Sequence, residues 1–313
     1  MTRPRRQRSA RDGAPVVPDA TFTSYYGRPV VKASPWEADI PAYLFLGGLA
    51  AGSSLLAAGA DLTDRPALRR TGRIGALAAI SASFAALVHD LGKPSRFVNM
   101  LRVAKPTSPM SVGTWLVSLY GPQAGIAGAA ELPGMRWLRP FARPAGLGAA
   151  TIAPAIATYT AVLLSDTATP SWHEAHRQLP FVFAGSAACA AGGLAMLGTP
   201  PDQAGPARRL AIAGAATELI AERVMVDSMG VAAEPLHTGR AGQLLRASRA
   251  LTTLGATAAA LGGRSRIVST LGGAALLAAS AATRFGVFEA GQASANDPKY
   301  TVVPQRDRVE SRS

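Results

Sequence analysis

A histidine and an aspartate stand side by side, as His89 and Asp90, where one apolar stretch of the sequence ends. An imidazole exchanges protons near neutral pH, and a neighbouring carboxylate can orient it or take up its proton. A second group of ionisable residues, Glu218, Glu222 and Asp227, lies inside a later apolar stretch at spacings of about one helical turn. Acids at such spacings can form a stripe along one face of a helix. Both groups indicate proton exchange in an apolar setting.

The stretches around these residues are long enough to cross a bilayer. The chain has 313 residues, 48% of them hydrophobic, and apolar runs of about 20 residues match the thickness of the hydrocarbon core. Transmembrane helices are predicted over residues 38–60, 72–91, 111–132, 146–165, 179–198, 208–231, 243–263 and 266–290. The expected fold class is all-α, an integral membrane bundle of about eight helices. The alternative, a soluble helical bundle, would show amphipathic stripes, whereas these runs are apolar nearly all round.

Polar, proline-containing segments flank the apolar part. We expect a polar basic N-terminal tail over residues 1–35, a transmembrane domain over residues 36–291 and a polar C-terminal tail over residues 292–313. The first apolar run is too long and too late for a cleaved signal peptide. The net charge of +13 is spread over tails and short connections, the usual membrane pattern, so nucleic acid is not expected as a partner. Anionic lipid headgroups are the expected contact of the first arginines, Arg3, Arg5, Arg6, Arg8 and Arg11.

The residue types argue against a metal cofactor in this chain. Cys189 is the single cysteine, and iron–sulfur clusters need several thiolates. Cys189 therefore reads as a small buried apolar residue. Of the four histidines only His89 is near a predicted span, which argues against haem held by two histidines. His173 and His176 have no further soft ligand beside them, so no metal site is expected there.

The polar residues of the predicted spans gather at one end. Eight spans place both termini on one side of the membrane, which we call the N-side. The residues in the N-side half are Glu37, Asp39, Tyr43, His89, Asp90, Ser111, Trp115, Asp166, His173, His176, Glu222, Arg223, Asp227, Arg246, Arg249, Arg284 and Glu289. The opposite ends carry mainly Asp61, Glu131 and short arginine-bearing loops. Ionisable groups within a membrane mark functional sites, so a polar pocket opening to the N-side is predicted. The alternative is that each side chain extends separately to the headgroups.

Pairs of small residues predict close helix packing. Gly48 and Gly52 lie four residues apart in the first predicted span, and Gly121 and Gly125 repeat this spacing in the third. Small residues let helix backbones approach closely in lipid, where no hydrophobic force drives helices together. Both pairs are therefore expected at helix–helix contacts.

Three segments resemble a known family. "DLGKPSRFVNML", followed by "SPMSVGTW", resembles the connection between the second and third helices of the NrfD family, the polysulfide reductase membrane subunits. "IPAYLFLGGLAAGSSLLA" resembles the first helix of that family, and "YTAVLLSDTATPSWHEAHRQLPFVFAGSA" its fourth and fifth helices. The resemblance covers about residues 25–290.

This resemblance implies a quinone-binding membrane anchor subunit of an oxidoreductase complex. Such a subunit binds menaquinone or ubiquinone and holds no haem or iron–sulfur cluster itself. It docks a ferredoxin-like [4Fe–4S] iron–sulfur subunit and, through that subunit, a molybdopterin oxidoreductase. Electrons would pass between the quinone pool and the clusters, and whether protons are translocated is left open. Lysine and arginine are more numerous on the N-side, which favours cytoplasmic termini in the plasma membrane.

The resemblance also implies roles for individual residues. The quinone contacts are expected to be His89, Asp90, Tyr43, Asp39 and Trp115. Among these, His89 would donate to a carbonyl, while the alternative for the two aromatic residues is the ordinary interfacial belt. The proton pathway residues would be Asp166, Glu218, Glu222, Asp227 and Arg284. The residues that dock the partner would be Lys93, Arg96, Asn99, Arg102 and Lys105, with headgroup contact as the alternative for the bases.

Two other classes of function remain open at this point. A proton-coupled transporter would also carry intramembrane acids and kinked helices, but no inverted repeat or pair of broken helices is visible in the sequence. A structural anchor without its own redox site would need no buried charges. The polar residues at the N-side therefore favour a redox subunit over both alternatives.

Overall fold

The computed structural model describes residues 27–93, 95–262 and 265–310. The arginines Arg3 to Arg11 of the predicted N-terminal tail lie outside these residues. The long helices are α1 (Asp39–Leu62), α2 (Pro66–Asp90), α4 (Pro109–Ala129), α5 (Arg139–Ser165), α7 (Leu179–Gly198), α8 (Gly205–Ser228), α9 (Gly239–Leu261) and α10 (Arg266–Asn296). Three shorter helices are α3 (Arg96–Met100), α6 (Pro170–Glu174) and α11 (Lys299–Glu310), and 3-10 turns cover Arg136–Leu138 and Gly230–Leu236.

Several of the long helices are built to cross a membrane. Within the described residues, α1, α2, α5 with the turn before it, α7 and α10 are long and apolar enough to do so, which makes five candidate spans. The predicted all-α membrane bundle is thus confirmed. Helices α4, α8 and α9 coincide with the other three predicted spans but do not meet the same criterion of length and hydropathy. The number of eight spans therefore stays a prediction.

The long helices form two rings of four. In the first ring α1 packs on α2 and α5, and α4 closes the ring between α2 and α5. In the second ring α7 packs on α8 and α10, and α9 closes the ring between α8 and α10. The rings meet mainly along α1 and α7. Each ring therefore has a mouth on the N-side, where its first and third helices begin and its second and fourth helices end.

Glycines allow the close contact between the two rings. A Cβ atom at Gly52 would lie 2.6 Å from the Ala191 Cβ and 2.8 Å from the Ala187 carbonyl oxygen of α7. At Gly48 it would lie 3.3 Å from the Ala187 Cβ. Gly121 and Gly125 differ, because a Cβ at either position would meet nothing within 4 Å. The same spacing thus marks a helix contact in α1 and an open surface in α4.

An ion-paired group holds the first ring together on the side opposite the N-side. Arg73 of α2 pairs with Glu131 at 2.9 Å and with Asp61 at 3.3 Å, and its side chain is only 7% exposed. Arg69 and Arg143 also reach Asp61, at 3.3 Å and 3.6 Å. Because buried charges are stable only when paired, this group ties together α1, α2, α5 and the turn after α4.

The chain after α10 is attached to the N-side surface. The Gln292 side chain of α10 donates hydrogen bonds to the carbonyl oxygens of Ser34 (3.0 Å) and Trp36 (3.1 Å). Lys299, at the start of α11, donates to the Glu234 carboxylate, and this hydrogen bond raises the pKa of Lys299 above its ordinary value. Part of the predicted polar C-terminal tail is therefore helical and packed against the turn before α9.

Candidate functional site

A cavity of about 200 Å³ lies in the N-side mouth of the first ring, among α1, α2, α3, α4 and α5. We call it the N-side cavity. Most of its wall is apolar, with Ile40, Leu87 and Val117 among its side chains. Its polar or amphipathic side chains are Trp36, Tyr43, Asp90, Arg96, Thr114 and Tyr159. An apolar pocket with a few converging polar groups is the usual form of a small-molecule site.

Two tyrosines are fixed in the wall of this cavity. Tyr43 is 6% exposed and Tyr159 is 8% exposed. The Ser83 hydroxyl donates to the Tyr43 carbonyl oxygen at 3.1 Å, which joins α1 to α2 beside the cavity. Tyr159 lies against Gly113, where a Cβ would be 2.3 Å from the ring. A phenol both donates and accepts hydrogen bonds, so both walls offer a group that can bind a ligand oxygen.

The end of α2 and the start of α3 bring two opposite charges to the mouth of the cavity. Helix α2 ends at the half-buried Asp90. Gly92 then turns the chain toward α3 with a φ of +67°, a conformation that favours glycine. The Arg96 guanidinium donates to the Leu91 carbonyl oxygen at 3.0 Å, which keeps Arg96 at the mouth. A carboxylate and a guanidinium therefore border a mostly apolar space.

The other predicted quinone contacts lie outside the cavity wall. His89 Nδ1 is 2.8 Å from an oxygen of Asp39, and the His89 side chain is 81% exposed. Adjacent residues of a helix point about 100° apart, which is why Asp90 lines the cavity and His89 does not. Trp115 is exposed, and its indole N–H donates to the Val103 carbonyl oxygen at 3.2 Å. Of the five predicted contacts, the structure brings Tyr43 and Asp90 together in one cavity.

Sequence reasoning did not assign Trp36, Tyr159 or Arg96 to this site. Trp36 precedes the first predicted span, and its ring stacks on Trp172 with centroids 6.1 Å apart. A contact between residues so distant in the chain leaves no local signal. Tyr159 lies in the segment that resembles the fourth helix of the family, which was a usable signal. Arg96 was assigned only to partner docking.

An open cleft of about 630 Å³ adjoins the N-side cavity at the N-side ends of α4 and α5. Asp166, His173 and His176 line this cleft, and Tyr159 lines both the cleft and the cavity. Carboxylates and imidazoles exchange protons with water. The cleft therefore brings side chains of these two types up to Tyr159, the residue that it shares with the N-side cavity.

A second group of polar side chains lies inside the second ring. Glu218 is 2% exposed and accepts a 2.6 Å hydrogen bond from the Thr283 hydroxyl, which is itself 2.6 Å from the Ser248 hydroxyl. Arg284 is fully buried where the two rings meet. Its guanidinium donates to the Phe183 carbonyl oxygen at 2.7 Å and lies 3.6 Å from the centre of the Phe183 ring.

This interior group leaves hydrogen-bonding capacity unused. Oε2 of Glu218 and Nε and Nη1 of Arg284 are buried and have no hydrogen-bond partner among the described residues. Internal water usually binds where buried polar atoms lack protein partners. These three atoms are therefore the ones in this group that an internal water would bind.

The three acids of α8 do not form one stripe. Glu222 accepts from Arg249 at 3.0 Å and borders a cavity of about 250 Å³ that His237 also lines. Asp227 pairs instead with Arg223 at 2.9 Å on the surface, with its side chain 55% exposed. Five residues along a helix turn the direction by about 140°, so Glu222 points inward and Asp227 outward.

The predicted docking residues lie on the N-side surface. Lys93, Arg96, Asn99, Arg102 and Lys105 are all exposed. The Ser111 hydroxyl donates to the Val103 carbonyl oxygen at 2.9 Å and accepts from the Lys105 amide at 3.0 Å. Ser111 thus fixes the connection between α3 and α4. Within the described part of the chain, no group of three or more histidine, cysteine, aspartate or glutamate residues could hold a metal ion.

Comparison with known proteins assigns the family. The model of the family described as polysulphide reductase, NrfD, matches residues 30–199, which is more than half of the 313 residues. The match includes every residue that lines the N-side cavity and ends after α7. No curated protein matches the chain. The resemblance seen in the sequence is confirmed, and the chain belongs to the NrfD family of integral membrane subunits of polysulphide reductase-like complexes.

Proposed function

We propose that this chain is the quinone-reactive membrane subunit of an oxidoreductase complex. The N-side cavity is the observation that carries the proposal. A quinone head group is a flat, largely apolar ring with two carbonyl acceptors, and the cavity combines an apolar wall with two buried phenols. Its volume of about 200 Å³ is below the roughly 300–1,000 Å³ of whole-ligand pockets, so it suits the ring without its tail.

The residues of the cavity would act in three ways. Tyr43 and Tyr159 donate hydrogen bonds to the two carbonyl oxygens. Trp36 lies against the ring, as aromatic side chains do in apolar sites. Asp90 exchanges protons at the mouth, and the cleft of Asp166 and His173 supplies protons by way of Tyr159. Quinone, menaquinone or ubiquinone by class, supplies the redox chemistry when it is bound.

Electrons would come from, or go to, a docked partner. The exposed bases of the α3 connection lie beside the mouth of the N-side cavity, which supports docking of a ferredoxin-like [4Fe–4S] subunit there. A molybdopterin oxidoreductase would join through that subunit. The excess of basic residues on the N-side supports cytoplasmic termini in the plasma membrane.

Proton translocation would use the second ring. The buried Glu218 lies one helical turn from Glu222, which reaches the cavity lined by His237. The unpartnered atoms of Glu218 and Arg284 support ordered water beside this pair. A carboxylate inside a membrane that is linked to an open cavity is typical of a proton pathway.

The test is quinone titration of the complex purified from membranes with its co-purifying subunits. Tyr43→Phe removes a buried hydrogen-bond donor, a loss of about 1–3 kcal/mol, so we expect the dissociation constant to rise about tenfold. Asp90→Asn should weaken binding as well. His89→Ala should change the affinity less than Tyr43→Phe, because His89 points away from the cavity.

The matched control is Tyr120→Phe. Tyr120 is a buried tyrosine of α4 whose hydroxyl is 2.7 Å from the Ser54 hydroxyl, and it is not part of the cavity wall. This variant should bind quinone like the wild type. An equal affinity for wild type and Tyr43→Phe would remove Tyr43 from the site, and absence of quinone binding by the wild-type complex would refute the proposed function.

A further inference from the structure

A groove on the outside of the first ring continues from the N-side cavity. It lies between α2 and α4, has a volume of about 490 Å³, and shares the lining residues Phe97 and Val117 with the N-side cavity. We call it the α2–α4 groove. From Val117 to Gly125 it extends about 12 Å along α4, at 1.5 Å per residue. It therefore leads from the mouth of the ring toward the middle of the bundle.

The floor of the groove exists because two residues of α4 have no side chain. A Cβ at Gly121 or at Gly125 would meet nothing within 4 Å, so neither glycine is needed for helix packing. Leu77 and Phe84 of α2 form the facing wall. Phe84 meets Phe97 edge to face with centroids 4.8 Å apart, next to the N-side cavity.

The lining of the groove is suited to an apolar occupant. Its polar side chains are two serines, Ser81 and Ser118. The Ser118 hydroxyl already donates to the Thr114 carbonyl oxygen of its own helix, at 2.8 Å. Phe84 is 38% exposed, so the groove opens to the outside of the bundle, where hydrocarbon surrounds a membrane protein. A polar occupant would find few hydrogen-bond partners there.

We propose that the α2–α4 groove holds the isoprenoid tail of the quinone whose ring lies in the N-side cavity. This inference rests on the proposed function. A quinone has a compact ring with polar groups and a long, branched, apolar chain. The small cavity with its polar side chains complements the ring, and the apolar groove that continues from it complements the chain. The quinone would then enter from the bilayer between α2 and α4, with its ring reaching the cavity past Phe97.

The experiment compares two quinones that share a head group, one with a single isoprene unit and one with a long isoprenoid chain. Each is titrated into the purified complex carrying Gly125→Leu or, separately, Gly121→Leu. The open space at both positions admits the new side chain, and thermal unfolding verifies the fold. Gly59→Leu is the matched control, because Gly59 is an exposed glycine of α1 with nothing within 4 Å of its Cβ and lies outside the groove.

We expect both groove variants to weaken binding of the long-chain quinone about tenfold, since they displace apolar chain from apolar surface, and to leave the short-chain quinone unaffected. Unchanged affinity for the long-chain quinone would overturn the tail assignment while the proposed function stands. An equal loss of affinity for both quinones would also overturn the tail assignment. If a groove variant lost a co-purifying subunit, the groove would be assigned to a helix of that partner and the tail assignment would be wrong. Absence of binding of either quinone to the wild type would refute the proposed function itself.

Discussion

The position of a single charged side chain decides whether it stabilises this protein. Arg73 is 7% exposed and lies between two carboxylates. Arg223 pairs with one carboxylate on the surface and is 78% exposed. Removing one partner of a buried ion pair leaves an uncompensated charge, whereas exposed pairs contribute little.

We therefore expect Arg73→Gln to destabilise the protein by about 3 kcal/mol. The carboxylates of Asp61 and Glu131 would keep only the more exposed arginines as partners. Arg223→Gln is the matched control and should cost less than about 1 kcal/mol. The measurement is the unfolding transition of the purified protein in detergent, and equal shifts for the two variants would contradict this account.

Residue-scale contacts were the least accessible to sequence reasoning. The sequence predicted polar residues at the N-side and gave Asp61 and Glu131 no particular role, because their partners lie on other helices. The sequence analysis grouped Asp227 with Glu222 because their spacing is close to one helical turn. Asp227 is five residues after Glu222, one more than the spacing that keeps two side chains on the same face, and it therefore points toward the surface. Such contacts depend on how each helix is rotated in the bundle, which no local pattern specifies.

At the scale of helices, one spacing of glycines has two opposite uses. In α1, Gly52 lets the backbone approach α7. In α4, Gly121 and Gly125 leave an open groove. The glycine spacing itself does not indicate whether a neighbouring helix packs against it. The sequence could therefore predict the helices but not which of the two glycine pairs lies at a helix contact.

Gly52→Ala is expected to destabilise the protein by about 1–3 kcal/mol, because the added methyl overpacks the α1–α7 contact. Gly125→Ala should be neutral or stabilising by up to about 1 kcal/mol, since alanine favours a helix and the space is open. Thermal unfolding of the two variants gives the comparison. Destabilisation by Gly125→Ala as large as that by Gly52→Ala would show that both glycines are packed.

The long helices themselves were well predicted. Hydropathy is a local property, and runs such as 179–198 coincide with α7 (Leu179–Gly198). The ends were less accurate where charged residues continue a helix: α2 starts at Pro66 and includes Arg69, which the predicted run 72–91 leaves out. Paired arginines can lie within a membrane protein, but only the fold shows that they are paired.

For the whole molecule, the two proposed functions, quinone binding and proton translocation, belong to different rings. The N-side cavity belongs to the first ring, and the Glu218 group belongs to the second. Glu218→Gln keeps an acceptor for the Thr283 hydroxyl but removes the exchangeable proton. We expect the reconstituted complex to lose proton uptake from the N-side bulk phase during quinone turnover, with quinone affinity unchanged.

A pH-sensitive dye in proteoliposomes measures this uptake, and Glu289→Gln, a carboxylate paired with Arg240 near the surface at 3.3 Å, is the control. Unchanged uptake in Glu218→Gln would exclude Glu218 from the pathway.

The exposed positions Gln305→Cys and Asp202→Cys, labelled with an impermeant maleimide, report on which side of the membrane each position lies, because the native Cys189 is fully buried. Labelling of Gln305→Cys in intact cells would contradict cytoplasmic termini.

Helix α10 is longer than a bilayer core is thick. Its 31 residues extend about 46 Å at 1.5 Å per residue, against about 30 Å of hydrocarbon. Since Gln292 is bonded to the chain before α1, we expect surplus turns at the N-side end of α10 to extend from the hydrocarbon into the headgroup layer, which brings the total bilayer thickness to about 40–45 Å. A soluble subunit that docks on the N-side would then have to fit around this end of α10, which would limit the orientations that it can take.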